Sequence, residues 1–412
     1  MNMRYDVIVI GGGPSGMMAA GRAAERGRRV LLLEKNRKLG MKLALTGNGR
    51  CNVTNAQENQ RLLLAAYGSA KKFLFSPFSQ FSVRDTFSFF ASHGLPLVVE
   101  EGGRTFPKTQ KSSDVINVLR EYMRSSHVAV RTQATVQGLE CASGKIRGVR
   151  VGGTVIEADA VVLATGGTSH PETGSTGDGW QWLAALGHAI HQPSPSVVPL
   201  AVRDTWVRSL AGISLNGAKI TFFSQGRRKF SLHGRILCTH FGLSGPLILN
   251  AASRVAELLR LGNVTAEIDI YPNMDLGHLD KHLMTVFDDN KNKSFRNVMK
   301  LLTPTGTADA VVSLVPSALR DKAIHSISRE ERKIAGRLLK TFPVTISGLM
   351  GYEWAVVADG GLPVNEVEGK TMRSRRCPNL FVTGDLLHIT RPSGGFSLQL
   401  CWTTGYVAGD HA

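Results

Sequence analysis

Apolar and polar positions follow three rhythms along the chain. At the N-terminus Val7 to Ile10 form an unbroken apolar run, then comes a glycine-rich turn, a stretch with apolar residues at helical spacing, and a second apolar run closing on Glu34. Unbroken runs of this length predict strands buried on both faces, so Arg4 to Lys35 reads as a β-α-β unit, followed by a loop to residue 55. Residues 56–127 read as mainly helical, most clearly at Val83–His93 and Ser113–Ser126. From Val128 to Glu157 short alternating segments around Ser143-Gly144 predict a small β-meander, and 160–164 is a further buried strand. A polar, glycine-rich loop over 169–180 then leads into a helix ending at Leu186.

The pattern changes at His191-Gln192-Pro193-Ser194-Pro195. From there to about Tyr271 short β-rich segments dominate and predict a barrel or sandwich. Residues 272–340 turn helical and highly charged, β signals return over 343–358, and NLFVTGD (379–385) reads as an apolar strand ending in Gly384-Asp385. A last helix begins after Gly394-Gly395. The expected organisation is one α/β domain made of 1–192 and 341–412, interrupted by a β-rich insert (193–271) and a helical subdomain (272–340).

The first turn carries the most specific chemistry. Gly11, Gly13 and Gly16 have the spacing G-x-G-x-x-G, with Pro14 and Ser15 between the last two. The first glycine permits the tight turn, the second lets backbone approach a pyrophosphate, and the third lets the helix pack near the strand. The helix start then offers N–H groups and a partial positive charge to phosphates. Glu34, 23 residues beyond Gly11, stands where a carboxylate binds a ribose diol, with Lys35 beside it. Strand, turn, helix, strand and acid agree on a Rossmann-type dinucleotide site. Two other segments favour FAD over NAD. Proteins of the two-dinucleotide-binding flavoprotein type place a Gly-Asp like Gly384-Asp385 at the ribityl or pyrophosphate part of FAD, and they share a strand ending like Thr165-Gly166-Gly167. No second G-x-G-x-x-G follows a strand, which leaves NAD(P)H as a candidate electron donor without a domain of its own.

Three segments are candidates for the reaction itself. LALTGNGRCNVTN (43–55) is a glycine-rich loop directly after the ribose-acid strand, placing Thr46, Gly47, Gly49, Arg50, Cys51 and Asn52 along the expected cofactor, with Lys42 just before it. Arg50 is read as neutralising the pyrophosphate and Asn52 as bonding the ring edge or a substrate. Cys51 has two readings, an acid or redox partner near the ring and, more commonly for a single cysteine, an inert buried thiol. In the segment 234–254, His240 is a candidate proton donor or a hydrogen-bonded structural histidine, and Ser244 a candidate helix cap. In the segment 384–405, Gly394, Gly395 and Phe396 open the last helix, whose positive end suits negative charge on a reduced flavin. His388 and Arg391 lie in the loop before it, as substrate contacts or as solvent-facing residues.

Composition narrows the class further. Apolar residues at 42% and charged residues at 20% are ordinary for a globular protein. No apolar run of about 18 residues exists to span a membrane, and the first residues lead into a core strand without a signal-peptide pattern. Five scattered cysteines without a C-x-x-C pair argue against a disulfide framework or a metal site and suit a reducing cytoplasm. The charge is unusual: 49 Lys and Arg against 32 acids give +17. Such a field attracts polyanions, and its clusters at 26–42, 227–229, 291–296, 329–340 and 373–376 read either as a solubilising surface or as a nucleic-acid footprint.

The runs KLALTGNGRCNVTN, TGGTSHPETGSTGDGW, THFGLSGPLIL, DGGLPVNEV and KTMRSRRCPNLFVTGDLLHIT, in this order and with GGF at 394–396, resemble the bacterial YhiN/BaiN-like flavoproteins, also called aminoacetone-oxidase-like. That resemblance spans nearly the whole chain. It implies an FAD domain of Rossmann type interrupted by a β-barrel insert and a helical subdomain, and an FAD-dependent oxidoreductase acting through flavin N5. Activities assigned in such families include oxidation of small amines, reduction of steroid double bonds, and reduction of uridine to dihydrouridine in ribosomal RNA. The chain departs from the usual family residues at Thr46-Gly47-Asn48 and at Arg391 to Ser397, on the expected flavin face. Three readings follow: an enzyme acting on ribosomal RNA, with Cys51 or His240 as acid; a small-molecule oxidase or reductase; and a flavin-holding interaction protein whose redox state signals.

Overall fold

A computed structural model describes residues 4–412. The chain divides into two compact units, Met1–Ser196 with Tyr352–Ala412, and Val197–Gly351.

The first unit is built on a sheet that has nine strands among the described residues. Tyr5–Ile10 lies at its centre, parallel to Val30–Leu33 on one side and to Thr154–Leu163 on the other. Ala129–Arg131 extends one flank and Leu380–Val382 the other, both parallel to their neighbours. The hairpin of Val136–Ala142 and Lys145–Val151 continues antiparallel from the start of Thr154–Leu163. Val7–Val9 and Leu31–Leu32 have no exposed surface, the burial that an unbroken apolar run demands. The register is what makes a site: Ile10 stands opposite both Leu33 and Leu163, and Leu163 opposite Val382. Four parallel strands therefore end level, and the turns after them (Gly11, Glu34, Ala164–Gly166, Thr383–Asp385) meet at one edge, where ligands bind in open parallel sheets.

Two helices fix that edge. Pro14–Glu25 packs against the C-terminal helix, Phe396–His411, so closely that a Cβ on Gly405 or Gly409 would lie 2.4 Å from the Ser15 carbonyl oxygen or 2.3 Å from that of Ala19. Fully buried Gln399 holds the C-terminal helix on its other face. Its Oε1 accepts from Thr54 Oγ1 (2.6 Å) and Thr86 Oγ1 (3.0 Å), and Trp402 Nε1 donates to the Val53 carbonyl (2.9 Å).

The second unit is a closed barrel in the order Leu200–Val202, Gly242–Ser244, Arg227–Cys238, Ser214–Ser224, Val264–Asp269, Phe342–Leu349. Phe342–Leu349 closes it, pairing with Val264–Asp269 and with Leu200–Val202. The helices Leu276–Asp288, Phe295–Leu302 and Arg329–Lys340 share one apolar core with the barrel. Here the architecture differs from the organisation expected of the sequence. The sequence pattern puts the stretch after residue 340 in the returning Rossmann half, yet its first strand completes the barrel, and barrel and helices form one unit. A strand's own periodicity reveals its faces but not its partner, which is set by register with a distant strand. Ser244 also differs: it is a ladder residue opposite Leu237, while Gly245 takes the N-cap position and Pro246 opens the helix.

Candidate active site

A cleft opens at the level edge of the parallel strands. At one end lies the glycine turn. Gly11 has φ +106°, and a Cβ there would lie 2.5 Å from the Ala164 carbonyl oxygen; a Cβ on Gly16 would lie 1.9 Å from that of Gly11. A Cβ on Gly13, by contrast, would meet nothing within 4 Å. The turn is thus closed behind and open in front. Gly11, Gly13, Pro14 and Ser15 line the cleft, while Gly16 is spent on packing. Glu34 is buried, and both its oxygens are placed: Oε2 accepts the Gly12 N–H (2.7 Å) and Oε1 the Asn36 N–H (2.8 Å). Such a carboxylate keeps lone pairs for two hydroxyl donors. Lys35 lines the cleft too, but its Nζ is bound to Thr176 Oγ1 (2.6 Å) and Asp178 Oδ2 (2.8 Å), tying the 173–178 loop across this end.

At the other end stands Asp385, with a cation on each oxygen. Arg391 donates to Oδ1, and Lys42 Nζ lies 3.2 Å from Oδ2 while also donating to Ser169. Arg391 is itself buried, giving further bonds to the Ile389 carbonyl (2.6 Å) and Ser397 Oγ (3.1 Å). Burial alone drives the Asp385 carboxyl upward, but Arg391 and Lys42 outweigh it and hold the group below the usual carboxylate range. Asp385 is therefore ionised at neutral pH. The neighbouring Cys401 thiol, pushed up to about 12 by burial and by Asp385, stays protonated. Between the two ends Thr165 and Gly166 line the cleft, and the Thr165 hydroxyl is buried without any partner in the protein. A buried orphan hydroxyl on a ligand cleft fits a polar group arriving from outside.

The 46–52 loop lies differently. Thr46 lines the cleft, but Gly47, Gly49, Arg50, Cys51 and Asn52 do not. Arg50 turns to Glu100 and Gln110 Oε1 (2.6 Å) and stacks 3.9 Å over the Phe106 ring. Asn52 Oδ1 accepts the Thr105 N–H at 3.0 Å. Cys51 is fully buried, and burial lifts its thiol to about 12 against the pull of Thr46. These polar groups are satisfied by the strand Arg104–Pro107 and its flanks, a partner that no local pattern announces.

Around the start of the last helix, Ser397, Leu398 and Cys401 line the cleft. Gly395, at φ +101°, has no room for a side chain: a Cβ would lie 2.2 Å from the Thr54 carbonyl. The Gly394 carbonyl accepts from Asn55 Nδ2 (3.1 Å), and that of Phe396 from the Tyr67 hydroxyl (2.9 Å). Gly167 packs on Trp180, and Gly384 has φ +61° beside Ser15. His388 is half-buried, its ring 4.5 Å from that of His191; burial and that neighbour lower its pKa, although Asp359 pulls the other way. Gly167, Gly384, His388, Arg391, Gly394, Gly395 and Phe396 do not line the cleft. His240 belongs to the second unit, in the turn after Arg227–Cys238, with its ring 4.9 Å from that of Phe241. Sequence reasoning missed Cys401 and the bracing role of the 173–178 loop. The helical spacing of Ser397 and Cys401, four apart, is the signal that places both on one face. Among the described residues no group of His, Cys, Asp and Glu is arranged to hold a metal, and no helix is long and apolar enough to cross a membrane.

A level parallel edge, an open glycine turn and a buried carboxylate held at both oxygens are the features of a Rossmann-type dinucleotide site. The chain belongs to the HI0933-like family, whose Rossmann-domain model matches residues 5–411. It is 30% identical over 410 residues, covering 97% of both chains, to a 3-dehydro-bile acid delta(4,6)-reductase of Clostridium scindens. It is 25% identical to a ribosomal RNA dihydrouridine synthase of Haemophilus influenzae, covering 99% of this chain and 98% of that one. Among solved structures, a 3-ketosteroid delta1-dehydrogenase from Sterolibacterium denitrificans shares the fold, with a TM-score of 0.56 at 15% identity over 100% of this chain and 99% of that one. The protein is an FAD-dependent oxidoreductase.

Proposed function

We propose that this enzyme reduces a carbon–carbon double bond conjugated to a carbonyl, and that the bond lies in a uracil of structured RNA. One observation carries the reaction type: the two activities named for its full-length relatives are the same chemistry. Delta(4,6) reduction of a 3-dehydro bile acid and synthesis of dihydrouridine each place a hydride on one carbon of such a bond and a proton on the other. The cleft residues would hold FAD, which, once reduced by an external two-electron donor, would supply the hydride. The protein's part is holding and polarising. Glu34 takes the ribose diol, the glycine turn and the start of Pro14–Glu25 take the pyrophosphate, and Asp385, kept ionised by Arg391 and Lys42, takes hydroxyl donors between them. The start of Phe396–His411 presents its positive end to negative charge at the far end of the cleft.

Of the residues considered for proton transfer, Cys51 is buried away from the cleft and Arg391 is committed to Asp385. His388 does not line the cleft either, but it is half-buried in the same unit, and it is the acid to test. RNA is favoured as substrate by the +17 charge, which suits contacts to phosphates. A base inside a helix is flipped out for such chemistry at a cost of a few kcal/mol, offset by those contacts. The small-molecule reading draws on the bile acid reductase at 30% identity.

The test uses holoenzyme with its flavin chemically reduced, kept anaerobic and mixed with ribosomal RNA. Reoxidation of the flavin together with dihydrouridine in the digested RNA supports the proposal. Reoxidation only by a 3-oxo-4-ene steroid moves the substrate to the small-molecule class. Reoxidation by neither sinks the reaction type.

A further inference from the structure

All five cysteines are free, and two of them lie on segments that pack together. Cys141 is the last residue but one of the strand Val136–Ala142 and is exposed, whereas Cys377 is buried in the loop between Arg373–Ser374 and Leu380–Val382. The Cys377 thiol donates to the Gly144 carbonyl at 3.3 Å, in the turn just beyond Cys141 and beside Ile146, the residue paired with Cys141 across the hairpin. The backbone on both sides is clamped. Asn379 Oδ1 accepts the Ile146 N–H (2.9 Å), and its Nδ2 donates to the Ile146 carbonyl (2.7 Å) and the Asp159 carbonyl (2.8 Å). The Cys377 N–H is fixed to Ser374 Oγ at 3.0 Å. Hairpin and loop are thus held with an attackable thiol outside and a second thiol behind it.

We propose that Cys141 and Cys377 form a peroxide-reactive pair that closes to an intramolecular disulfide. Hydrogen peroxide converts the Cys141 thiol to a sulfenic acid and is itself reduced to water. Cys377 sulfur then attacks the Cys141 sulfur, the S–O bond breaks, a second water leaves with the thiol proton, and the S–S bond forms. Burial, reinforced by Cys141, raises the Cys377 thiol to about 11, so its thiolate is scarce at neutral pH. The closing step therefore speeds up about tenfold per pH unit between roughly 7 and 9. The product ties the hairpin to the loop that feeds Leu380–Val382 and hence Gly384-Asp385.

The test treats FAD-loaded enzyme with stoichiometric peroxide, unfolds it in alkylating reagent and maps the peptides. Alkylatable thiols are expected to fall from five by the two of the pair, with Cys141 and Cys377 in one cross-linked peptide and full recovery after dithiothreitol. In Cys377→Ser the sulfenic acid at Cys141 persists and is trapped by dimedone; in Cys141→Ser peroxide leaves Cys377 alkylatable. The proposal is overturned if Cys141 proceeds to sulfinic acid or pairs between molecules while Cys377 stays alkylatable, or if neither thiol reacts.

Discussion

Gly395 carries more of the site than its size suggests. It sits in the left-handed region and against the Thr54 carbonyl at once, so any side chain strains the backbone and pushes the helix start away from the strand below. Gly395→Ala is expected to lower stability by about 1–3 kcal/mol and to reduce the flavin retained on purification, read by thermal melting and by the flavin-to-protein absorbance ratio. A variant that melts like the parent with full flavin would contradict this placement. His188 makes a different point. Its Nδ1 lies 2.7 Å from Glu366 Oε2 and its Nε2 2.8 Å from Ser374 Oγ. The contact order is that of a hydrolase triad, but Ser374 is buried and already accepts N–H bonds from Arg376 and Cys377. Its proton therefore goes to His188, and the group is a clasp rather than a nucleophile. Burial holds the His188 pKa below its ordinary 6.5 although Glu366 pulls it up. The unfolded chain then takes the proton more readily, so this contribution is whole above 6.5 and is lost as pH falls below it. The stability gap between parent and His188→Gln should narrow from pH 8 to pH 5; a constant gap in melting scans would refute it.

At this scale the sequence was legible where chemistry is local. Gly11, Gly13, Glu34 and Asp385 are each placed by the turn or strand they end, and all line the cleft. Arg50, Cys51 and Asn52 were misleading for the opposite reason. Glycine-rich surroundings suggested a ligand loop, but Glu100, Gln110 and Thr105, which occupy two of them, come from segments some 50 residues away.

Among the elements, the C-terminal helix was readable only as a helix. Its two faces bury different things: Gly405 and Gly409 lie on Pro14–Glu25, and Gln399 and Trp402 reach Thr54, Thr86 and Val53. A helix covered all round shows no amphipathic stripe, so periodicity is silent about its neighbours. The glycine spacing i, i+4 is nevertheless the mark of a close helix crossing. Gly409→Leu should force the two helices apart, costing about 1–3 kcal/mol or more and loosening the glycine turn that Pro14–Glu25 carries. Differential scanning calorimetry and flavin release on dilution read both effects; a stable variant that binds flavin normally would show that the contact is dispensable. The barrel strand Phe342–Leu349 teaches the same lesson for sheets, since its alternation was visible and its partners were not.

For the whole molecule, the level edge of the parallel sheet accounts for where the cleft opens, and the chain's +17 charge for the kind of substrate proposed. Charge acts at long range and is screened by salt, so RNA binding through it weakens steeply as salt is raised. Affinity alone does not separate a substrate from a bystander, because any basic protein binds polyanions. The reaction leaves a chemical record that binding does not. The most direct measurement is therefore a map of dihydrouridine across ribosomal RNA from cells with and without the gene. The expected result is one position that reads as uridine in the deletion strain and returns to dihydrouridine when the intact gene, but not an Asp385→Ala copy, is restored. An identical dihydrouridine map in both strains would contradict RNA as the substrate.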